Sequence, residues 1–210
     1  MSKLLPVAFD CDDVGFELNR PLAYWLMRQY GTNILYEDIY DFNLIQVFGI
    51  EYNELVKRIR LFCLHYWRQQ LPMRGAAVAL RRLQQYIVPH MVTARCDTLR
   101  DCTMGMLDLH FRGMFKELHM TNGFGAKNPD RYRSKLTVCR EIGTTVLVDD
   151  SLGHVADFAG RSEMTMLLPD HPWNQSKTLP FNVIRCGNWR QPGSQWVHVE
   201  AELRRLIGVV

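Results

Sequence analysis

Residues 4–14 read Leu4-Leu5-Pro6-Val7-Ala8-Phe9-Asp10-Cys11-Asp12-Asp13-Val14. A short apolar run bounded by acids fits a buried strand. Its carboxyl end then carries three carboxylates in four residues. Such acids repel one another unless a cation sits among them. Oxygen ligands of this kind suit Mg²⁺, which keeps several waters and needs few protein carboxylates. A polar turn or a helix cap is the plainer alternative for this stretch taken alone.

Further strand signals follow at intervals: Ile87 to Thr93, a weaker alternation over Phe115 to Met120, Thr144 to Val148, and Met164 to Leu168. Helical patterns lie between them, at Gly75 to Tyr86, Asp97 to Leu109, Arg131 to Ile142 and Ser151 to Ala159. Strands alternating with helices of this length predict an α/β fold, a Rossmann-like parallel sheet with helices on both faces. Ligands of such sheets bind beyond the carboxyl ends of the strands. The segment from Val14 to Leu71 breaks the alternation. It is helix-rich, with helices expected over Asn19 to Tyr30 and Glu51 to Leu64. It reads as a small helical insertion over the strand ends, so that 1–14 and 72–210 form a core domain and 15–71 a cap. Phe16 to Trp67 holds 12 of the chain's 23 aromatic residues. A small domain needs aromatic residues for its own core, and one or two rings are left to line a ligand pocket.

The other strand ends repeat the polar theme. The second closes on Val92-Thr93-Ala94-Arg95, a hydroxyl followed by backbone amides that can cradle an oxyanion, though Thr is also an ordinary N-cap. The fourth closes on Val148-Asp149-Asp150-Ser151, a second pair of acids. Only six of the 25 basic residues are Lys. Lys135, at the start of the helix before that acidic strand, and Lys127, in the loop Gly123-Phe-Gly-Ala-Lys-Asn-Pro, are each able to offer a cation to a phosphate.

Composition narrows the partners. A net charge of +3, from 25 basic and 22 acidic residues, does not call for nucleic acid. No window approaches ~18 consecutive apolar residues, so no membrane span is expected. The N-terminus has neither a signal peptide's long apolar core nor a transit peptide's composition. The six cysteines show no CxxC pair and no zinc-like spacing, which fits reduced thiols in a cytoplasmic protein. The oligomeric state is left open, a homodimer included.

In their order, Asp10-Cys11-Asp12, Thr93, Lys135 and Asp149-Asp150 resemble the haloacid dehalogenase-like phosphohydrolases. The insertion between the first two motifs is similar to that family's helical cap. A closer resemblance is to its 5'(3')-deoxyribonucleotidase branch. It is carried by Val92 to Arg95, Leu147 to Ser151, His171-Pro-Trp-Asn174, Arg185 and Asn188-Trp189. Asp13 departs from the branch, where many members have Gly, and the 14 residues between Lys135 and Asp149 exceed some members' spacing.

The resemblance implies hydrolysis of a phosphomonoester of a (deoxy)nucleoside. Asp10 would be the nucleophile, giving an aspartyl-phosphate. Asp12 would be the general acid and base. Thr93, the Ala94 amide and Lys135 would bind the phosphoryl oxygens. Mg²⁺ would be held by Asp10, Asp12 through its backbone carbonyl, and the Asp149–Asp150 pair. Asp149 is the favoured direct ligand, with Asp150 acting through water or orienting Lys135. Phe16, Tyr40, Phe42 and Trp67 are the candidates for stacking on a base. Trp173, Asn174, Arg185 and Trp189 are more readily structural. The alternatives are a phosphatase for a sugar phosphate or a nucleic-acid 3'-phosphate end, and an idle anion-binding protein of the same fold.

Overall fold

The computed structural model describes residues 4–41, 43–125, 129–175 and 178–209. Six parallel strands form one sheet in the order β3-β2-β1-β4-β5-β6. They are β1 (Leu5–Phe9), β2 (Ile87–Thr93), β3 (Leu118–Met120), β4 (Val146–Val148), β5 (Thr165–Pro169) and β6 (Val183–Cys186). The chain starts in the middle, runs to one edge, and returns to the other side of β1 at β4. Crossovers diverge on either side of that point, which opens a crevice beyond the ends of β1 and β4. The acids at 10–13 and 149–150 follow those two strands.

The strands are apolar on both faces, as a covered parallel sheet requires. Val7, Phe9, Met91 and Val148 face one layer, built by α4 (Ala76–Leu83), α5 (Arg100–His110) and α8 (Ser194–Leu206). Ala8, Val92, Leu147 and Met166 face the other, built by α6 (Lys135–Ile142) and α7 (Leu152–Phe158). Ser134 caps α6 through the Thr137 amide, and Ser151 caps α7 through the Gly153 amide.

The chain between β1 and α4 folds as α1 (Asn19–Tyr30), α2 (Leu44–Phe48) and α3 (Tyr52–Tyr66) around a second apolar cluster. Leu22, Leu26, Ile39, Leu55, Ile59 and Phe62 lie inside it, and Leu99, Cys102 and Met120 join it from the sheet side. The segment leaves and returns at one place. Phe16 bridges Pro72, Glu17 N–H donates to Leu71 O (2.9 Å), and Met73 N–H donates to Gly15 O (2.9 Å).

Several sequence expectations are corrected. The strand expected over 115–120 begins at Leu118, because Phe115 packs edge-on against Phe9 and Phe111. The strand expected over 144–148 begins at Val146, and the helix expected over 131–142 begins at Lys135. Strand β6 and helix α8 were not anticipated. All six cysteines are buried and unpaired, and no helix among the described residues is long and apolar enough to cross a membrane.

Candidate active site

Asp10 follows β1 directly, and its amide still donates to Val148 O of β4 (2.9 Å). The chain then turns tightly, with Gly15 and Phe16 N–H both donating to Cys11 O (3.0 and 2.8 Å). Within that turn Asp13 has φ 54°, a left-handed conformation in which glycine is at ease and Asp is tolerated. Asp13 compensates by accepting the Leu18 and Asn19 amides at the start of α1 (3.0 and 3.1 Å). Burial pushes the Asp13 carboxyl up to about 8, against those two amides.

Lys135, at the first turn of α6, is buried between two strand ends. Its Nζ lies 2.8 Å from Asp10 Oδ1 and 2.7 Å from Asp149 Oδ2. Burial alone would lower the ammonium; Asp10 and Asp149 outweigh it and raise it. Asp10 Oδ1 also accepts the Cys11 amide (2.7 Å). Burial pushes the Asp10 carboxyl up to about 6, opposed by Lys135.

The two acids after β4 differ. Asp149 has both oxygens engaged: Oδ1 by the Ser151 amide (2.9 Å), Oδ2 by Lys135 and by His154 Nδ1 (2.9 Å). Burial works to raise its carboxyl, but His154 and Lys135 together hold it well below the usual range. Asp150 receives the Trp173 indole on Oδ2 (2.7 Å) and lies on the cavity wall. Burial, then Asp149 and Asp10, push its carboxyl far above the usual range. Carboxylate oxygens of Asp10, Asp149 and Asp150 lie within 4.8 Å of one another. Buried acids in excess of buried cations fit a divalent ion with oxygen ligands, which would offset the burial and the repulsion that raise Asp10 and Asp150.

Thr93 ends β2 fully buried, and its Oγ1 accepts the Arg95 amide (3.2 Å). Ala94 and Arg95 reach the cavity wall from this turn. The Arg95 guanidinium is buried and grips Asp12, with Nη2 2.6 Å from Oδ1 and Nε 3.0 Å from Oδ2. It also donates to Gln70 Oε1 (2.7 Å), near the end of the helical segment, and to Thr103 Oγ1 (3.1 Å).

The cavity holds about 340 Å³. Its floor is Asp10, Asp12, Lys135 and Asp150; Leu44, Ile45, Leu55 and Ile59 come from the helical segment, and Phe124, Tyr132 and Arg133 from the loop after β3. Of the expected aromatic residues, Phe16, Tyr40 and Trp67 are not in its lining. Phe16 is fully buried against Phe111 (centroids 5.0 Å) and belongs to the sheet core. Tyr40 is 66% exposed at the surface. Trp67 packs over Gly105, where an added Cβ would sit 2.8 Å from the indole. Phe42 and Lys127 lie outside the described residues. The rings that do line the cavity are Tyr52, Phe124 and Tyr132.

The C-terminal signature residues assemble behind the acids. Asn174 donates to the Asp150 and Pro169 carbonyls (2.9 and 2.8 Å), Arg185 pairs with Asp170 (2.7 Å), and Trp189 N–H donates to Asp170 Oδ2 (3.0 Å). His171 stacks on Trp173 with centroids 4.5 Å apart. Its Nε2 faces the Asp13 carbonyl (2.8 Å), so Nε2 carries the proton and Nδ1 accepts from the Tyr36 hydroxyl (2.8 Å). These residues brace the site from outside the cavity. The sequence reading did not single out His154, which pairs with Asp149, or the guanidinium of Arg95, which pairs with Asp12. Both lie at fixed offsets from motifs already recognised.

No family model and no curated protein matches the sequence. Solved structures do. A conserved haloacid dehalogenase-like protein of unknown function from Agrobacterium tumefaciens aligns over 97% of this chain and 99% of its own, at 18% identity and TM-score 0.64. A predicted phosphoglycolate phosphatase from Haemophilus somnus aligns over 98% and 99%, at 13% identity and TM-score 0.56. The hydrolase YfnB of Bacillus subtilis, bound to magnesium, aligns over 99% and 100%, at 15% identity and TM-score 0.56. With six parallel strands in this order and helices around them, the chain has the α/β, Rossmann-like fold of the haloacid dehalogenase-superfamily hydrolases.

Proposed function

We propose that the chain is a Mg²⁺-dependent phosphomonoester hydrolase acting on (deoxy)nucleoside monophosphates, with residues 1–14 and 72–210 as its core and 15–71 as its cap. The observation that carries the phosphatase reading is Lys135 bridging Asp10 and Asp149, with Asp150 beside them at the cavity floor. A buried cation between two acids, at the crevice where crossovers diverge, is an arrangement that binds and polarises a phosphoryl group. The fold's hydrolase relatives and the magnesium in one of them support the same reading.

Asp10 attacks phosphorus through Oδ2 while Lys135 and the Cys11 amide hold Oδ1. The P–O bond to the leaving oxygen breaks, Asp12 protonates that oxygen, and Asp12 then draws a proton from the water that hydrolyses the aspartyl-phosphate. The Ala94 amide, the Thr93 turn and Lys135 receive the phosphoryl oxygens. Asp10, the Asp12 carbonyl and Asp150 would hold Mg²⁺, which when bound would supply charge neutralisation for the attack. In this reading the expected roles of the two neighbouring acids are reversed. Asp149 has both oxygens engaged and orients Lys135, whereas Asp150 faces the cavity. Arg95 is a positioning residue that holds Asp12 at the wall.

The nucleotide assignment rests on the resemblance and on an upper wall of aliphatic residues with Tyr52, Phe124 and Tyr132, which suits a planar base. A second reading, a small sugar-type phosphate, is favoured by Asn19, Asn43 and Arg133 in the same wall. Phosphate release decides between them, measured on 5'- and 3'-nucleotides, sugar phosphates, phosphoglycolate and phosphorylated oligonucleotide ends, in Mg²⁺, Ca²⁺ or EDTA. The proposal expects nucleotides to lead, EDTA to abolish turnover and Ca²⁺ to substitute poorly. Preference for a sugar phosphate replaces the substrate, and full activity in EDTA removes the mechanism.

A further inference from the structure

A second group of metal-ligating side chains lies at the β2–β3 edge, among residues that take no part in the hydrolysis. His90 lies in β2, His119 in β3, and Glu117 just before β3. The pairing of Val92 with His119 puts both imidazoles on one face of the sheet. His90 Nδ1 is 3.2 Å from His119 Nε2, and Glu117 Oε2 is 3.4 Å from the same Nε2. All three ligand atoms lie within 4.8 Å of one another. We infer that His90, Glu117 and His119 form a binding site for a borderline-soft divalent metal of the zinc class, separate from the all-oxygen site at the catalytic floor.

The distances carry the inference. With Zn–N near ~2.0–2.1 Å and tetrahedral angles, two ligand atoms on one ion lie roughly 3.3–3.4 Å apart. The two separations above, 3.2 and 3.4 Å, are close to this length, and the third, within 4.8 Å, closes by a turn of the exposed Glu117 side chain. Donor chemistry separates the two sites. Two imidazoles and one carboxylate select a transition metal, whereas carboxylates and carbonyls select Mg²⁺. Three protein ligands leave a fourth position for water, and the Glu117 side chain, 54% exposed, keeps the site open to solvent.

The protonation state is compatible. Burial lowers both histidines, which favours the neutral, ligating form near pH 7. One proton lies between the two facing nitrogens; moving it to the far nitrogen of its ring frees both lone pairs. Lys116, Arg100 and Arg133 are the nearby cations and oppose a metal, while Glu117 favours one. An ion here would tie the three-residue edge strand β3 to β2. The chain beyond β3 continues into Phe124, Tyr132 and Arg133 of the catalytic cavity.

The test is calorimetric titration of the full chain with Zn²⁺, after chelator treatment and dialysis, in millimolar Mg²⁺ that saturates the carboxylate site. The expected result is one equivalent bound with micromolar or tighter affinity. His90→Gln and His119→Gln, each checked for folding by circular dichroism, should weaken it at least tenfold, whereas Asp150→Asn should leave it unchanged. X-ray absorption of the zinc-loaded protein should show imidazole scattering. If the glutamine variants fail to fold, that spectrum alone decides: an all-oxygen shell overturns the site. So does the absence of binding at ~100 μM Zn²⁺, or binding that Asp150→Asn removes and His119→Gln does not.

Discussion

The floor and the roof of the cavity are built on opposite principles. At the floor, Asp10 and Lys135, with Asp149 behind them, are buried, and each makes at least two polar contacts from a rigid strand end or helix start. The roof residues Leu44, Ile45, Leu55 and Ile59 are aliphatic, and the neighbouring Tyr52 is 47% exposed at the mouth. A network of short charged bonds fixes atoms to the tolerance that chemistry needs. Apolar contacts tolerate substitution and shift, which suits selection among substrates. In the proposed reading the floor sets the reaction and the roof the preference.

The sharpest way to break this contrast is to alter the floor without disturbing its shape. Asp10→Asn keeps the volume and removes the nucleophile, so kcat should fall at least ~10³-fold with the thermal midpoint little changed. Single-turnover phosphate release measures this; a variant with a tenth of normal activity would take Asp10 out of the nucleophile role.

Arg95 joins the two regions, since it holds Asp12 and also Gln70 at the end of the helical segment. Arg95→Gln should lower kcat roughly tenfold to a hundredfold, because a general acid contributes ~10²–10⁴ and loses only its positioning. The loss should fall on kcat with KM little changed, and Arg95→Lys should restore little, lacking the two-pronged grip. An unchanged kcat with reduced stability would leave Arg95 a purely structural residue.

On the roof, Tyr52→Ala and Phe124→Ala should each lower kcat/KM for the best nucleotide roughly tenfold, given ~1–3 kcal/mol per stacked base, and change a generic aryl phosphate less. Phe16→Ala should behave in the opposite way. It empties a core site and should destabilise the fold by ~3–5 kcal/mol, measured by urea unfolding. Equal losses on both substrates for Tyr52 and Phe124 would remove the stacking role.

The smallest effect concerns the brace. Burial holds the His171 imidazole down to about 4, well under its ordinary value of 6.5. The unfolded chain therefore binds that proton first as pH falls. The stability this group contributes is complete above pH 6.5 and is lost between pH 6.5 and about 4. Each tenfold difference in proton affinity between the folded and unfolded chain corresponds to ~1.4 kcal/mol, so a loss of a few kcal/mol is expected. Urea midpoints across that range should fall less steeply in His171→Gln than in the parent; parallel curves would refute the linkage.

Most of the floor was legible because its residues sit at strand ends, where pattern and position coincide. Asp10, Thr93, Lys135 and Asp149 each follow or precede an apolar run that can be read directly. The roof was not legible, because a ring's direction depends on packing: Phe16 turned to Phe111, and Trp67 to Gly105. Strand β6 has four residues and only Val183 and Cys186 buried, too little alternation to register. Arg95 was visible as part of a motif, but its grip on Asp12 depends on two strand ends meeting across the sheet.

The shared doorway at Gly15–Glu17 and Leu71–Met73 bears on how the chain reaches its fold. β1 and β2 are neighbours in the sheet, yet the whole helical segment separates Leu5 from its partner Ile87. Closing so long a loop is entropically slow, and its penalty grows only as the logarithm of length, ~0.6 kcal/mol per doubling. A segment that collapses on its own cluster and clasps at the doorway replaces that long loop with a short one. For the same reason it can lengthen or shorten at little thermodynamic penalty, so the sheet can keep its register while the inserted segment changes in size.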